Sequence, residues 1–336
     1  MTAPIWLTEA DVVSLVSLAD AIPALERILA MEARGEAETM PKAQLGFGAH
    51  NTLHAIGAAV TGAKLVGTKT WAHTEGGAAP LLILWDTDTG SLRAVIESFA
   101  LGQMRTGAIT GVATKWLAAK GADEMAIIGS GKQAVTQVAA VHAAMKLKRL
   151  RVYSPTRENR EAFAARMQKE FGFEVQVAES VEACVKDAPI VTAVTLATKP
   201  FLTASMLARG AHVNAVGAIV PARIEFTADI FPRCAVVAVD NLPTVQKLSQ
   251  EFIKYFGANM APWDRVTPLS KIVAAGQARP AGADLTLFKA MGMGLSDLAM
   301  GAEILERAAK RGMGYALPAR ERAQPRLQSE GLQAAE

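Results

Sequence analysis

The sequence predicts an α/β protein in which a doubly wound parallel sheet follows an α+β segment that contains an antiparallel meander. Two patterns in the 336 residues carry this prediction. In residues 50–100, apolar and polar residues alternate with the period of two that half-buried strands show. After about residue 120, short apolar runs alternate with helical stretches, which is typical of a parallel sheet covered by crossover helices.

The elements follow in order along the chain. Residues 1–48 are predicted to be helical, because Thr8 and Ser17 are favoured at helix N-termini and an apolar-periodic stretch continues to Met31. The meander is predicted to comprise four strands, residues 53–60, 63–70, 80–86 and 91–96. The parallel sheet is predicted to comprise six strands, residues 125–128, 149–153, 174–177, 190–194, 212–216 and 235–239.

Length and composition indicate a globular protein with room for two domains, since 51% of the residues are apolar. No apolar run reaches the ~18 residues that span a bilayer, and no signal-peptide pattern opens the chain, so we expect a cytoplasmic protein without a membrane partner. A net charge of +3 without a basic stripe gives no reason to expect a nucleic-acid partner. Cys184 and Cys234 are expected to be buried small hydrophobes, with no metal site and no disulfide.

A glycine-rich turn is the most informative motif of the chain. The apolar run ending at Ile128 leads into Gly129-Ser130-Gly131-Lys132-Gln133-Ala134, and a helix is predicted from there to Met145. In a dinucleotide site the first glycine allows the tight turn, the second lets the backbone approach a pyrophosphate, and the third small residue lets helix and strand pack closely. Glycine-rich turns also occur without a ligand, but the strand at residues 149–153 follows at the distance that the motif requires. We therefore predict a Rossmann domain.

The end of that second strand indicates which dinucleotide is bound. NAD sites usually place an Asp or Glu there to accept hydrogen bonds from the ribose, and that carboxylate would repel a 2′-phosphate. Here the strand ends in Ser154-Pro155-Thr156-Arg157, which offers hydroxyls and a guanidinium suited to a phosphate. NADPH is therefore favoured over NADH. The alternative is a solvated turn in which Arg157 is an ordinary surface residue.

Several motifs, taken together with their order and spacing, are specific. They are Lys64 in Gly62-Ala-Lys-Leu-Val66, Asp88-x-Gly90, Arg105-Thr106, the Gly129–Ala134 loop, Asn214-Ala-Val-Gly217 with Pro221 and Glu225, and Asp284–Gly292 with Asp297. In these motifs the chain resembles the ornithine cyclodeaminase and mu-crystallin family, and within it the ketimine reductases. The resemblance covers nearly the whole chain.

The resemblance implies the roles of three catalytic candidates. Reduction of an α-imino acid needs a carboxylate clamp, a proton for the imine nitrogen and a nicotinamide aimed at the imine carbon. Arg105 is the candidate clamp, since its planar fork matches a carboxylate. Lys64 is the candidate proton donor, because a lysine among apolar strand neighbours is expected to have a lowered pKa. Lys42 stands where the family usually has Arg, and it could make a second carboxylate contact as a point charge. Lys69 and His73 could face the mouth of the pocket, but a lone Lys or His in a loop is more often a surface residue, and this is the expectation for both.

The resemblance also implies the cofactor-binding residues and the reaction type. Besides the glycine loop with Ser154, Thr156 and Arg157, the implied cofactor-binding residues are Thr106, Thr195, Val216, Lys289 and Gly292. Asp240, at a strand end, is expected either to meet the cofactor or to cap the next helix. The family's cyclodeaminases carry an Asp where this chain has Ile219, which favours direct reduction of a preformed imine over cyclodeamination.

These observations together predict the organisation and the activity. Residues 1–117 and 301–336 are expected to form a discontinuous substrate-binding and dimerisation domain, and residues 118–300 an NADP-binding domain. A homodimer is expected, because the meander leaves sheet edges to be covered. The expected activity is the NADPH-dependent reduction of a cyclic ketimine, such as Δ1-pyrroline-2-carboxylate or Δ1-piperideine-2-carboxylate, to the L-amino acid. The alternatives are an amino acid dehydrogenase, a dehydratase, a cyclodeaminase, or a binding protein in the manner of mu-crystallin that holds NADPH without turnover.

Overall fold

A nine-stranded mixed sheet and an eight-stranded parallel sheet pack on a shared layer of helices. The computed structural model describes residues 3–276, 279–318 and 321–327. The elements up to residue 117 are β1 (Ile5–Leu7), α1 (Glu9–Leu15), α2 (Leu18–Ala33), β2 (Ala37–Thr39), β3 (Ala43–Phe47), β4 (Asn51–Val60), β5 (Leu65–Thr74), β6 (Gly77–Ala78), β7 (Leu81–Asp86), β8 (Leu92–Glu97) and α3 (Phe99–Leu117).

The meander predicted between residues 50 and 100 is confirmed. Strands β4, β5, β7 and β8 pair with their neighbours in antiparallel fashion. The prediction that residues 1–48 are entirely helical is wrong, because β1, β2 and β3 lie there as well. Thr8 and Ser17 do begin the two helices, each with a side chain that accepts from the backbone three residues on. The three added strands are five residues long or shorter, and pairing with β8 and β4 rather than local periodicity specifies them.

The parallel sheet begins after α3. Its elements are β9 (Glu124–Ile128), α4 (Lys132–Met145), β10 (Arg149–Tyr153), α5 (Arg157–Phe171), β11 (Glu174–Val177), α6 (Val181–Val185), β12 (Ile190–Ala193), β13 (Ala211–Ala215), β14 (Cys234–Val239), α7 (Leu242–Leu248), α8 (Gln250–Phe252), β15 (Val266–Pro268), α9 (Leu269–Ala275) and β16 (Leu285–Lys289). The strand order is β11-β10-β9-β12-β13-β16-β14-β15. All six predicted strands are confirmed. Strands β15 and β16 were not predicted. β15 has only three residues, and β16 is placed by pairing with β13 and β14, which lie far away in the chain.

The chain then returns to the mixed sheet through α10 (Gly294–Arg311) and β17 (Tyr315–Ala316). The N-terminus of α10 lies directly on β4, since a Cβ at Gly294 would be only 2.0 Å from the carbonyl oxygen of Gly57. The expected boundary between residues 300 and 301 falls inside α10, and the whole helix packs in the core that the mixed sheet shares. Of the segment 301–336, residues 319–320 and 328–336 lie outside the described residues.

The two cysteines are free and buried, as expected, and burial raises the pKa of each thiol to about 12. Across the described ranges, none of the helices combines the length and the apolar character that crossing a bilayer would need.

Candidate active site

A cleft of about 530 Å³ opens at the carboxyl ends of the parallel strands. Ligands bind at this edge of doubly wound sheets, beside the point where the strand order reverses, which here lies between β9 and β12. The N-terminus of α4 forms one wall, and β5 and α3 form the opposite wall. Polar lining residues from these walls and from the strand ends are Lys69, Arg105, Thr106, Lys132, Gln133, Thr195 and Asp240.

The glycine loop has the geometry of an anion site. Gly129 has a φ of +114°, and a Cβ there would lie 2.5 Å from the carbonyl oxygen of Val194, so only glycine fits. Gly131 is the N-cap of α4, and no side chain caps this helix. Gly131, Lys132 and Gln133 line the cleft, whereas Ala134 is fully buried behind them. Backbone N–H groups at the start of a 14-residue helix therefore face the cleft, an arrangement that binds phosphates.

The end of β10 adjoins this loop and carries no carboxylate. Ser130 Oγ donates a 2.9 Å hydrogen bond to Ser154 Oγ, so the loop and the strand end are joined. Ser154 is 5% exposed, whereas Thr156 and Arg157 are on the surface. Arg157 Nε donates to Glu161 Oε1 at 2.7 Å, one helical turn further on. Of these residues, none lines the cleft itself.

Helix α3 places Arg105 and Thr106 opposite the glycine loop. This helix packs tightly against α4, because a Cβ at Gly107 would lie 2.4 Å from the carbonyl oxygen of Thr136. Gln137 on α4 donates to the carbonyl oxygen of Thr106 at 3.1 Å, which fixes the rotation of the two helices. Both predicted residues therefore line the cleft.

The central charged group of the cleft is a buried lysine that the sequence analysis assigned to the surface. Lys69 Nζ donates to Asp297 Oδ1 at 2.5 Å, and the two side chains are 5% and 0% exposed. Burial lowers the pKa of Lys69 to about 8, against the opposing effect of the Asp297 charge. Gly102 leaves room for the ammonium, since a Cβ there would lie 3.3 Å from Nζ. The expectation for Lys69 was wrong, whereas His73 is exposed as expected.

Strand parity explains the burial of Lys69. Leu65, Gly67 and Lys69 point to the same side of β5 and are all buried. Alternation from Leu65 onward could therefore have identified Lys69 as inward-facing.

Lys64, the predicted proton donor, lies elsewhere. It follows a 3₁₀ turn in left-handed conformation with φ of 54°, before β5 begins. Its ammonium is 68% exposed and donates to Asp88 at 2.6 Å, which raises the pKa of Lys64. The premise of a desolvated strand lysine with a lowered pKa is contradicted, because β5 begins at Leu65, two residues later than the predicted strand of residues 63–70.

Arg105 is mostly buried and lies beside Asp297. Its Nε lies 3.3 Å from Asp297 Oδ1 without hydrogen-bond geometry, and among the described residues neither Nε nor Asp297 Oδ2 has a hydrogen-bond partner. A Cβ at Gly292, where φ is +85°, would lie 3.1 Å from Nη1. Buried polar atoms without hydrogen-bond partners are rare in folded proteins, so the group of Arg105 and Asp297 has hydrogen-bonding capacity that the described residues do not fill.

Asp240 builds the turn against which Arg105 packs. Its carboxylate accepts from Met291 N at 2.9 Å and from Gly292 N at 2.7 Å. Burial raises the pKa of Asp240, and these hydrogen bonds and the Arg105 charge oppose that effect. The cap of the next helix is Asn241, which accepts from Thr244 N, and not Asp240.

The remaining predicted residues divide into two groups. Thr195, Val216 and Gly292 line the cleft. Lys289 does not, because it is fully buried behind the loop after β13 and donates to the carbonyl oxygen of Ala218 at 2.7 Å. Lys42 does not line the cleft either. Packing around it lowers its pKa, and the nearby Arg105 charge lowers it further, although much of its surface remains exposed.

The part of the cleft beside Lys69 is apolar. Trp71 lines it and stacks on His54 at 4.7 Å between ring centroids, with Lys69 Nζ 5.3 Å from the Trp71 ring. Ile219, which the family resemblance places where cyclodeaminases are expected to carry an Asp, also lines the cleft. In the part of the chain that the structure covers, there is no group of three or more His, Cys, Asp or Glu residues arranged to hold a metal ion.

A model of the ornithine cyclodeaminase/mu-crystallin family matches residues 3–312. The chain belongs to this family. Among relatives, the ketimine reductase mu-crystallin of Rattus norvegicus is 33% identical over 218 residues, which make up 65% of this chain and 66% of the rat protein. A Δ1-pyrroline-2-carboxylate reductase of Bacillus cereus is 31% identical over 242 residues, covering 70% of this chain and 72% of the bacterial protein. The match thus spans just under two thirds of the rat relative's length.

Two solved structures superpose on nearly the whole chain. Thermococcus litoralis Δ1-pyrroline-2-carboxylate reductase, in complex with NADH and L-proline, superposes with a TM-score of 0.86 at 25% identity, covering 93% of this chain and all of that one. An archaeal alanine dehydrogenase dimer with bound NAD gives a TM-score of 0.85 at 24% identity, covering 94% of this chain and 99% of that one. The predicted fold class and the family resemblance are confirmed.

Proposed function

We propose that the protein is an NADPH-dependent reductase that converts cyclic α-imino acids, such as Δ1-pyrroline-2-carboxylate or Δ1-piperideine-2-carboxylate, to L-amino acids. The observation that carries the proposal is the group of Lys69, Arg105 and Asp297, which faces an uncapped helix N-terminus across one cleft. This arrangement pairs an anion site for a dinucleotide with a clamp and a proton donor for an imino acid.

The residues around α4 fit a nicotinamide dinucleotide. The N–H groups after Gly131 would hold the pyrophosphate. The loops that carry Thr195 and Val216 line the same cleft as Lys69 and would contact the rest of the coenzyme. When bound, the reduced nicotinamide supplies the hydride. The Thermococcus litoralis reductase, which has this fold, is in complex with NADH, and this supports a nicotinamide coenzyme in this chain too.

Arg105 would bind the substrate carboxylate through the guanidinium that has no hydrogen-bond partner among the described residues. Lys69, with a pKa of about 8, is largely protonated at pH 7 and can give its proton to the imine nitrogen. Asp297 holds both cations facing the cleft. Trp71 and Ile219 would keep water from the reacting atoms and contact an apolar ring.

NADPH is proposed over NADH because Ser154 directly follows β10, where an NAD site would place an acid. Thr156 and Arg157 are exposed beside it and would contact a 2′-phosphate. To bind that phosphate, Arg157 would have to break its ion pair with Glu161. Arg157 is therefore the residue with which to test the preference.

The test is NADPH oxidation, followed at steady state with cyclic imino acids and with pyruvate plus ammonia. We expect turnover with the cyclic imino acids. Turnover only with pyruvate and ammonia would make the protein an amino acid dehydrogenase, and NADPH binding without turnover would make it a binding protein. Formation of proline and ammonia from ornithine at matching rates would make it a cyclodeaminase, in spite of Ile219.

We also propose that the protein is a cytoplasmic homodimer. The β3–β4 hairpin exposes apolar side chains, with Leu45 at 62%, Phe47 at 41% and Leu53 at 44% exposure. A second copy would cover this surface. Light scattering during size-exclusion chromatography would give the mass, and a monomer would contradict the proposal.

A further inference from the structure

Two loops of the cleft are held together by one buried carboxylate. Glu225 is fully buried, and its Oε1 accepts from Thr195 N at 2.7 Å and from Thr195 Oγ1 at 2.9 Å. Its Oε2 accepts from Gly217 N at 2.9 Å and from Ala218 N at 3.2 Å. Thr195 follows β12 and Gly217 follows β13, so each carboxylate oxygen of Glu225 serves a different loop.

A buried cation holds the second loop from the other side. Lys289, the last residue of β16, is fully buried and donates to the carbonyl oxygen of Ala218 at 2.7 Å. The N–H groups of Gly217 and Ala218 thus donate to the Glu225 carboxylate, and the carbonyl oxygen of Ala218 accepts from the Lys289 ammonium. A Cβ at Gly217 would lie 2.2 Å from the nitrogen and from the oxygen of Thr195, so the two loops touch through their backbones.

The position of Glu225 is itself fixed. Its backbone N–H donates to Glu251 Oε1 at 3.0 Å, and Ser249 Oγ donates to Glu251 Oε2 at 2.8 Å. Burying these charged groups is costly unless hydrogen bonds compensate for lost water, and every oxygen of Glu225 has such compensation. The arrangement makes the loops after β12 and β13 a single rigid unit beside Val216 and Ile219, which line the cleft.

We propose that Glu225 and Lys289 are positioning residues that fix the Gly217–Ala218 backbone for the nicotinamide half of the coenzyme. This inference rests on the proposed function, because it requires a dinucleotide whose pyrophosphate lies at α4 and whose reacting ring lies towards Lys69. The two loops line the cleft between those points. Since transfer of a hydride needs the reacting atoms held within fractions of an ångström, rigid loops at the ring end matter more than at the adenosine end.

The experiment compares ligands with and without nicotinamide. Each reduced coenzyme is paired with its nicotinamide-free fragment, NADPH with 2′-phospho-ADP-ribose and NADH with ADP-ribose. The Kd of each ligand is measured by titration with the native protein, with Glu225→Gln and with Lys289→Met. We expect each variant to weaken binding of the preferred reduced coenzyme at least tenfold and to change the Kd of its nicotinamide-free fragment less than twofold. Equal weakening of coenzyme and fragment, or no weakening of either, would overturn the proposal.

Two further variants separate positioning from general loss of stability. Arg233→Gln breaks the ion pair with Asp284, which lies at the amino ends of β14 and β16, away from the cleft. It should lower the melting temperature and leave both Kd values unchanged. If a single variant fails to fold because it leaves one buried charge unpaired, Glu225→Gln combined with Lys289→Met removes both charges and is measured instead. The binding readout does not depend on imine turnover, so failure of the proposed reaction would leave this test intact.

Discussion

Lys69 Nζ donates a 2.5 Å hydrogen bond to Asp297 Oδ1, although the two residues lie 228 positions apart in the chain. Strand β5 supplies the lysine, and the first turn of α10 supplies the aspartate. Removing two charges from water costs about as much as their attraction returns, so a buried pair contributes little to stability. The pair is better explained by the chemistry of the cleft into which Lys69 and Arg105 point.

Replacing Lys69 tests its assignment as the proton donor. Lys69→Met should lower kcat for a cyclic imino acid by roughly a hundredfold or more, the usual contribution of a positioned acid. Lys64→Met is the matched control, because Lys64 pairs with Asp88 on the surface and does not line the cleft. Its steady-state kinetics should equal those of the native protein. A lowered kcat in Lys64→Met together with a native kcat in Lys69→Met would show that Lys64, and not Lys69, is the proton donor.

The pKa of Lys69 predicts a pH profile. Burial lowers this pKa to about 8, so the ammonium is protonated below pH 8 and neutral above it. Reduction needs the protonated form, so its kcat/KM should be level below pH 8 and fall about tenfold per pH unit above it. Oxidation of the amino acid needs the neutral form and should rise towards pH 8. Profiles of both directions between pH 6 and 10 check this, and a reduction rate that stays level to pH 10 would contradict it.

Arg105→Lys tests the clamp, since it keeps the charge and loses the planar fork. We expect kcat/KM for an imino acid to fall at least tenfold, which corresponds to about 1.4 kcal/mol of transition-state binding. The Kd for NADPH should not change, and fluorescence titration provides that control. Native kcat/KM in the variant would mean that the guanidinium does not contact the substrate.

Arg157→Ala tests the choice of coenzyme. If Arg157 exchanges Glu161 for a 2′-phosphate, the variant should bind NADPH on the order of tenfold more weakly and NADH as before. Glu161→Gln frees Arg157 and should strengthen NADPH binding. Isothermal titration with both coenzymes decides the matter, and a native protein that binds NADH as tightly as NADPH would refute the preference.

Local motifs identified part of this site from the sequence. The glycine loop belongs to a strand, turn and helix that are consecutive in the chain, and Arg105 and Thr106 lie on one long helix. Of these predicted residues, Gly131, Lys132, Gln133, Arg105 and Thr106 line the cleft, whereas Gly129, Ser130 and Ala134 do not. Gly292 was also named, through the family resemblance, and it lines the cleft with a φ of +85°.

What the sequence analysis missed depends on register and on distant pairing. Lys64 and Lys69 lie five positions apart beside or within β5, and only the start of the strand at Leu65 decides which of them faces inward. Asp297 was noticed as part of a motif, but its role requires α10 to return across the mixed sheet to β5. Glu225 and Lys289 were named through the family resemblance, but their hydrogen bonds to backbone groups of the loop after β13 join distant parts of the chain, which no local pattern indicates.

A buried histidine joins the parallel sheet to α3 and predicts how the protein responds to acid. His212 is fully buried on β13, and its ring nitrogens lie 2.9 Å from Thr286 Oγ1 and 3.0 Å from Asn214 Oδ1. The amide of Asn214 donates in turn to Thr114 Oγ1 on α3 at 3.0 Å. Burial lowers the pKa of His212 to about 3, so the ring stays neutral in the folded protein at pH 5.

Acid should therefore destabilise the fold through His212. Below the ordinary histidine pKa of about 6.5, His212 binds a proton in the unfolded chain but stays neutral in the folded chain. The free energy of unfolding therefore falls by about 1.4 kcal/mol per pH unit until pH 3. Between pH 7 and pH 5 the loss from this residue is about 2 kcal/mol. His212→Gln keeps a donor and an acceptor but does not titrate, so it should be less stable than the native protein at pH 7 and should lose about 2 kcal/mol less on going to pH 5. Urea unfolding at both pH values measures this difference, and parallel losses in the two proteins would show that His212 becomes protonated without unfolding.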